Sequence, residues 1–174
     1  MLRDFYPNEF CESTYEIPFH ELAALHYKGV LFDIDNTLVP HGAPADERAV
    51  ALFDWLHSLG LRTCLISNNQ EPRVKPFADA VQSEFLCNAH KPARSGYRRA
   101  CELMETDPAE TIFVGDQIFT DVWGANRAGI RSILVNPIHP KEEIQIVLKR
   151  IPEKLVLLCY ALHRKLFRKK PPLL

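Results

Sequence analysis

The sequence predicts a single α/β domain built on a parallel sheet of about five strands flanked by helices. Two patterns point there. Short apolar runs alternate with stretches of helical periodicity, and polar, chemistry-bearing residues follow the ends of those runs. Length agrees with both, because 174 residues, 47% hydrophobic and 25% charged, suffice for one buried core and fall short of two comfortable domains.

The runs are GVLFDID at 29–35, LRTCLIS at 61–67, EFLCN at 84–88, TIFVGD at 111–116 and RSILVN at 131–136. Each is strand-length and rich in the residues that fill a sheet covered on both faces. Between the first two lies ERAVALFDWLHSLG, in which Val50, Phe53, Trp55, Leu56 and Leu59 recur at helical spacing before Gly60 closes the helix. On this reading Trp55, like Trp123, is a core or sheet-facing anchor. The 13 prolines, among them Pro40, Pro72, Pro92 and Pro137, punctuate loops and first helical turns.

Composition removes several function classes. A formal net charge of -1 gives no overall attraction to nucleic acid, so none is expected as a partner. Cys11, Cys64, Cys87, Cys101 and Cys159 form no CxxC pair and read as reduced thiols rather than a disulfide framework or zinc site. MLRDFYPNEFCE is broken by Asp4, Pro7, Glu9 and Glu12 and does not form a signal pattern, so a cytoplasmic location is expected. The seven histidines lack paired ligand spacing, and His90, beside Lys91, is the one expected near a site.

In parallel sheets the ligand crevice lies beyond the carboxyl ends of the strands. Asp33 and Asp35 follow the first run, Ser67, Asn68 and Asn69 the second, His90 and Lys91 the third and Asp116 the fourth. Two carboxylates one residue apart at the end of a buried strand repel unless a cation or a proton separates them. Magnesium suits such a group, because it is held by one or two carboxylates together with substrate phosphate oxygens. Asp33 and Asp116 are the natural side-chain ligands. One aspartate can then attack phosphorus, a second can protonate the leaving oxygen and activate water, and Lys91 and Ser67 can clamp the phosphoryl oxygens.

FDIDNTL, LISNN, the Lys-Pro pair at 91–92 and GDQIFTD stand in order at strand ends and resemble the four motifs of the haloacid dehalogenase (HAD) phosphatase superfamily, which has a Rossmann-like fold. The resemblance implies Asp33 as nucleophile, Asp35 as acid/base, and Ser67 and Lys91 as phosphoryl binders, with Asn68 beside them. It also implies Asp116 as magnesium ligand, with Asp33 and the Asp35 backbone carbonyl completing the metal set. Asp121 resembles the later acidic residue of the fourth motif, which supports the metal shell or orients Lys91, and Thr37 is expected to bond within its loop. For Asn36, Asn68, Asn69 and Gln117, turn capping is at least as good a reading as substrate contact. Arg73 and Lys75 fit a solvated loop better than an anion-binding role.

MLRDFYPNEF, DIDNTLV, the SNN followed by RVKPF, and GDQIFTDVWGANRAGI followed by ILVNPI extend the resemblance to the YqeG family of small phosphatases, related to the mitochondrial phosphatidylglycerophosphate phosphatases. This implies a phosphorylated substrate with a phospholipid headgroup. About 30 residues separate Asp35 from Ser67, and 23 lie between Ser67 and Lys91, so no cap domain fits. The open site that results also suits a phosphate carried on a protein or a nucleic acid, and a soluble sugar phosphate or nucleotide is the alternative that keeps the same reaction. A receiver-type phosphoacceptor module places its acidic pair before the phosphorylated aspartate, unlike DxDxT, and the full motif set argues against a non-catalytic scaffold.

Residues 152–174 form a basic amphipathic helix and tail in this reading. Leu155, Leu158, Leu162 and Leu166 recur at helical spacing, and Lys154, Arg164, Lys165, Arg168, Lys169 and Lys170 add six positive charges. Such a helix can lie on the inner face of an anionic membrane, or it can pack on the sheet with a solvated basic end. The run from Leu155 to Leu162 is far short of the roughly 20 residues a membrane span requires. Oligomeric state is left open.

Overall fold

In the computed structural model, residues 2–139, 152–153 and 155–161 are described. Six parallel strands, β1 (Glu9–Cys11), β2 (Gly29–Phe32), β3 (Arg62–Ile66), β4 (Glu84–Leu86), β5 (Thr111–Gly115) and β6 (Arg131–Val135), form one sheet in the order β1-β6-β5-β2-β3-β4. The five expected strands are all present. The sixth, β1, is an addition at the edge, where Glu9 to Cys11 register against Ile133 to Val135.

The strands alternate their side chains between two apolar layers. Val30, Phe32, Leu65, Ile112 and Val114 pack with α1 (Phe19–Ala24), α2 (Glu47–Ser58) and α3 (Glu71–Val81). Leu31, Cys64, Ile66 and Phe113 pack with α4 (Arg94–Leu103) and α5 (Trp123–Ala128) on the other face. Asp46 starts α2 by accepting from Ala49 N at 2.8 Å. The helix buries Ala49, Leu52, Phe53 and Leu56, the i, i+3, i+4, i+7 stripe. Trp55 is therefore not a core anchor: it lies on the flank, 39% exposed, with Phe19 edge-on at 6.2 Å. Trp123 stacks on Phe5 at 5.0 Å instead of on the sheet.

From β2 the chain winds outward through β3 and β4, then crosses to β5 and β6 on the other side, where β6 pairs with the earlier strand β1 at the edge. β2 and β5 are thus neighbours whose carboxyl ends diverge into loops at the winding reversal, the place where such sheets bind ligands. Between Asp35 and Ser67 the chain makes only α2 and β3, and between Ser67 and Lys91 only α3 and β4. Among the described residues, no inserted domain covers the carboxyl edge of the sheet.

The amino-terminal segment braces the loop after β2. Thr14 Oγ1 donates to Thr37 O at 2.8 Å and Tyr15 Oη to Leu38 O at 2.6 Å. At the other end of the chain, buried Glu153 accepts from Ile118 N at 2.8 Å, while Val156 and Leu157 pack against Ile118, Val122 and Leu134. Leu155 and Leu158 point outward. Lys154, Leu162, Leu166 and the basic residues from Arg164 to Lys170 lie outside the described residues. Among those described, no helix is long and apolar enough to cross a membrane.

Candidate active site

Asp33 ends β2 with its backbone N bonded to Val114 O, so its side chain emerges beside that of Asp116 at the end of β5. Lys91 is only 8% exposed and reaches between two carboxylates, with Nζ 2.5 Å from Asp33 Oδ1 and 2.8 Å from Asp121 Oδ1. Thr37 Oγ1 stands 3.4 Å from both Asp33 Oδ2 and Asp116 Oδ1. Asp33, Asp116 and Asp121 are all buried, and one oxygen from each lies within 4.8 Å of the others.

Burial raises the Asp33 carboxyl from 3.8 to about 6; the Lys91 ammonium opposes this, and the like charges of Asp121 and Asp35 add to it. For Lys91, burial alone would favour the neutral amine, but Asp121 and Asp33 more than offset it and hold the ammonium charged. Three buried carboxylates lie together with one ammonium, which is bonded to two of them, and this leaves the cluster with two surplus negative charges when all are ionised. A divalent cation matches that deficit, so the residues fit one. Both Asp121 oxygens are engaged, Oδ1 with Lys91 and Oδ2 with Gln117 N at 3.1 Å. Asp33 likewise has both oxygens engaged, Oδ1 with Lys91 and Oδ2 with Thr37.

A short π-helical turn, Ile118–Val122, delivers Asp121 to this position. Tyr97, fully buried on α4, donates to Thr120 O at 2.6 Å and ties the turn to the helix. Gly115 makes room, because a Cβ there would stand 2.6 Å from Asp121 Oδ2. Gln117 contributes its backbone, and its side-chain Oε1 accepts from Thr120 Oγ1 at 3.3 Å.

The second strand end behaves as two parts. Ser67 is buried, and its Oγ accepts from Asn69 N at 3.1 Å, which leaves the hydroxyl proton to donate. Asn68 turns its side-chain amide to the Lys91 backbone, accepting from Lys91 N at 2.7 Å and donating to Lys91 O at 3.2 Å. It splices the second motif to the third.

Asp35 is held apart from the Lys91 cluster. Its Oδ1 accepts from Gly42 N and from Arg73 Nη2, each at 2.8 Å, and its Oδ2 from Asn69 Nδ2 at 2.7 Å. Arg73 is therefore not in a solvated loop: it stands in the first turn of α3 with its guanidinium on Asp35, whereas Lys75 is exposed and pairs with Asp79. His41 Nδ1 is 3.9 Å from Asp35 Oδ1, and both His41 and His90 are exposed. Neither Arg73 nor His41 carries a spacing signal, since both are brought to Asp35 by the course of the loops. Asn69 is adjacent to a motif but its partner lies 34 positions away.

Comparison with known proteins agrees with this geometry. The model of the haloacid dehalogenase-like hydrolase family matches residues 41–129, which begins just after the DxDxT stretch. The chain is 35% identical over 167 residues to "Probable phosphatase YqeG" of Bacillus subtilis (strain 168), covering 95% of this chain and 96% of that one. It is 28% identical over 134 residues to "Phosphatidylglycerophosphate phosphatase 1, chloroplastic/mitochondrial" of Arabidopsis thaliana, covering 70% of this chain and 38% of the plant protein. A structure described as a putative 3-deoxy-D-manno-octulosonate 8-phosphate phosphatase from Vibrio cholerae shares the fold with a TM-score of 0.54 at 16% identity, over 75% of this chain and 78% of that one. A match to half of the chain and a near full-length relative, on a parallel sheet with acidic residues at the winding reversal, place this chain among the haloacid dehalogenase-like hydrolases and, within them, among the phosphatases that resemble YqeG.

Proposed function

We propose that the chain hydrolyses a phosphomonoester with a magnesium ion and a covalent aspartyl-phosphate on Asp33, and that its substrate is phosphatidylglycerophosphate. The observation that carries the reaction is the buried group at the β2/β5 reversal: Asp33, Asp116 and Asp121 around one ammonium. The lipid substrate rests on the similarity to the plant phosphatidylglycerophosphate phosphatase and on a carboxyl edge that no inserted domain covers among the described residues.

In this reading an Asp33 carboxylate oxygen attacks phosphorus, and the P–O bond to the leaving group breaks. Asp35 delivers a proton to the departing oxygen. Asp35 then takes a proton from water as the water oxygen attacks the phosphoryl group, releasing inorganic phosphate and restoring Asp33. Lys91 and Ser67 hold the phosphoryl oxygens as their charge shifts, and Asp121 keeps Lys91 aimed. When bound by Asp33, the Asp35 carbonyl and Asp116, magnesium supplies charge neutralisation for both the nucleophile and the phosphate.

Leu155 and Leu158, 62% and 57% exposed, precede the basic stretch in the sequence and support peripheral contact of a cytoplasmic protein with an anionic membrane face. The test is phosphate release from phosphatidylglycerophosphate in mixed micelles, with magnesium or with EDTA, beside soluble sugar phosphates, nucleotides and a phosphopeptide. Magnesium-dependent turnover favouring the lipid by at least 100-fold is expected, and L155Q/L158Q should lower the lipid rate relative to the soluble esters. Equal or better turnover of a soluble ester would contradict the lipid assignment. An unchanged lipid rate in the double variant would remove the membrane contact.

A further inference from the structure

We propose that Arg73 selects substrates that carry a second anionic group, a phosphodiester, on the leaving-group side of the scissile phosphate. The inference rests on the reading above, in which Asp35 serves the leaving oxygen, and it concerns what that reading leaves unexplained: the acid/base carboxylate is held by three donors, one of them a guanidinium. Gly42 N and Arg73 Nη2 both donate to Oδ1, and Asn69 Nδ2 donates to Oδ2. His41 Nδ1 approaches the same Oδ1 at 3.9 Å. Three donors fill three of the roughly four acceptor positions of the carboxylate and hold its orientation, so parting from the guanidinium is what lets it turn toward a leaving group.

Arg73 is the donor best placed to move. The Gly42 amide belongs to the loop backbone, and Asn69 has a short side chain on a backbone held by its N donating to Ser67 Oγ. The guanidinium is at the end of a long side chain that is 22% exposed, lying 5.7 Å from the Phe77 ring centroid. Its Nε is buried and has no hydrogen-bond partner among the described residues. Once parted from Asp35, Arg73 therefore presents Nε and Nη2 together, the two-pronged edge that matches the paired oxygens of a phosphodiester or carboxylate. A largely buried guanidinium left without an acceptor is costly. A substrate that supplies the acceptor frees Asp35 and satisfies Arg73 in one exchange, whereas a neutral leaving group leaves the clamp closed. Because Asp35 meets the leaving oxygen, the anion exchanged for it has to be on the leaving group.

The probe pair is the deacylated headgroup ester, which is soluble and keeps the phosphodiester, against glycerol 3-phosphate, which lacks it. The wild type, R73K and R73Q are compared by the ratio of kcat/KM for the two esters. The wild type should favour the phosphodiester-bearing ester, and R73Q should lower that ratio by 10- to 100-fold, the scale of a lost charge-assisted hydrogen bond. The loss should fall mainly on KM, and R73K, which keeps the charge without the fork, should lie between. Circular dichroism checks the fold of each variant, and if R73Q folds poorly the R73K ratio decides. An unchanged ratio overturns the role of Arg73 alone, and absence of turnover of any ester by the wild type overturns both readings. A loss confined to the micellar lipid, with the soluble headgroup ester unaffected, assigns Arg73 to the lipid interface and also overturns the proposal.

Discussion

At Lys91 one ammonium group is shared by Asp33 and Asp121, and Asp116 adds a further carboxylate to the same buried space. Like charges gathered in a buried space lower stability. The pKa of Asp33 makes that cost measurable. Its carboxyl is raised by burial to about 6 from an ordinary 3.8, so between those values the folded chain binds more protons than the unfolded one. The stabilising contribution of the protonated form is complete below about pH 4 and is lost as pH rises through 6. In EDTA, D33N should therefore be more stable than the wild type at pH 7, by on the order of 1–3 kcal/mol. The difference should vanish near pH 4, and magnesium should restore the wild type selectively. Urea melts at the two pH values measure it, and a D33N protein less stable than the wild type at pH 7 would contradict the electrostatic account.

The elements that hold these residues differ in how plainly the sequence announces them. β2, β3, β5 and β6 are legible because strands of four or five residues, each with three consecutive buried apolar side chains, leave a strong signal. β1 is three residues long and begins with Glu9, a buried carboxylate paired with Arg131, so its pairing depends on a contact 122 positions away and has no local signature. The stripe of α2 is offset by a fraction of a turn from the apolar set that includes Trp55, because several phases fit one short helix. The π-helical turn at Ile118–Val122 is invisible to periodicity, yet it decides where Asp121 points. Gly115 is the position where that geometry is most exposed to test. Substituting G115A would place a methyl 2.6 Å from Asp121 Oδ2 and 2.7 Å from Phe113, so Asp121 must leave Lys91 or the strand must shift. A loss of at least 10-fold in kcat is expected, together with about 1–3 kcal/mol of stability, the usual range for overpacking. Turnover and a thermal melt of G115A check both, and an unaltered kcat would mean that the Lys91–Asp121 contact does not govern the rate.

For the whole molecule, the doubly wound order β1-β6-β5-β2-β3-β4 gathers residues from four strand ends at one edge, and this convergence could be anticipated because ligand groups in parallel sheets follow the strands' carboxyl ends. The cluster of Asp33, Thr37, Lys91, Asp116 and Asp121 follows from that rule and from motif resemblance. What separates Asp35 from the cluster does not, since Arg73 is 38 positions away and meets Asp35 only through the packing of α3. The support of the motif loop by Thr14 and Tyr15 is hidden for the same reason. The central claim is that Asp33 carries the phosphoryl group between substrate and water. The measurement that tests it most directly is mass spectrometry of peptides from the enzyme acid-quenched during turnover of a phosphomonoester with magnesium. The account predicts a phosphoryl group on the peptide containing Asp33, absent in D33N, which should also lose turnover while remaining folded; retained turnover in D33N, or a label on another residue, would contradict it.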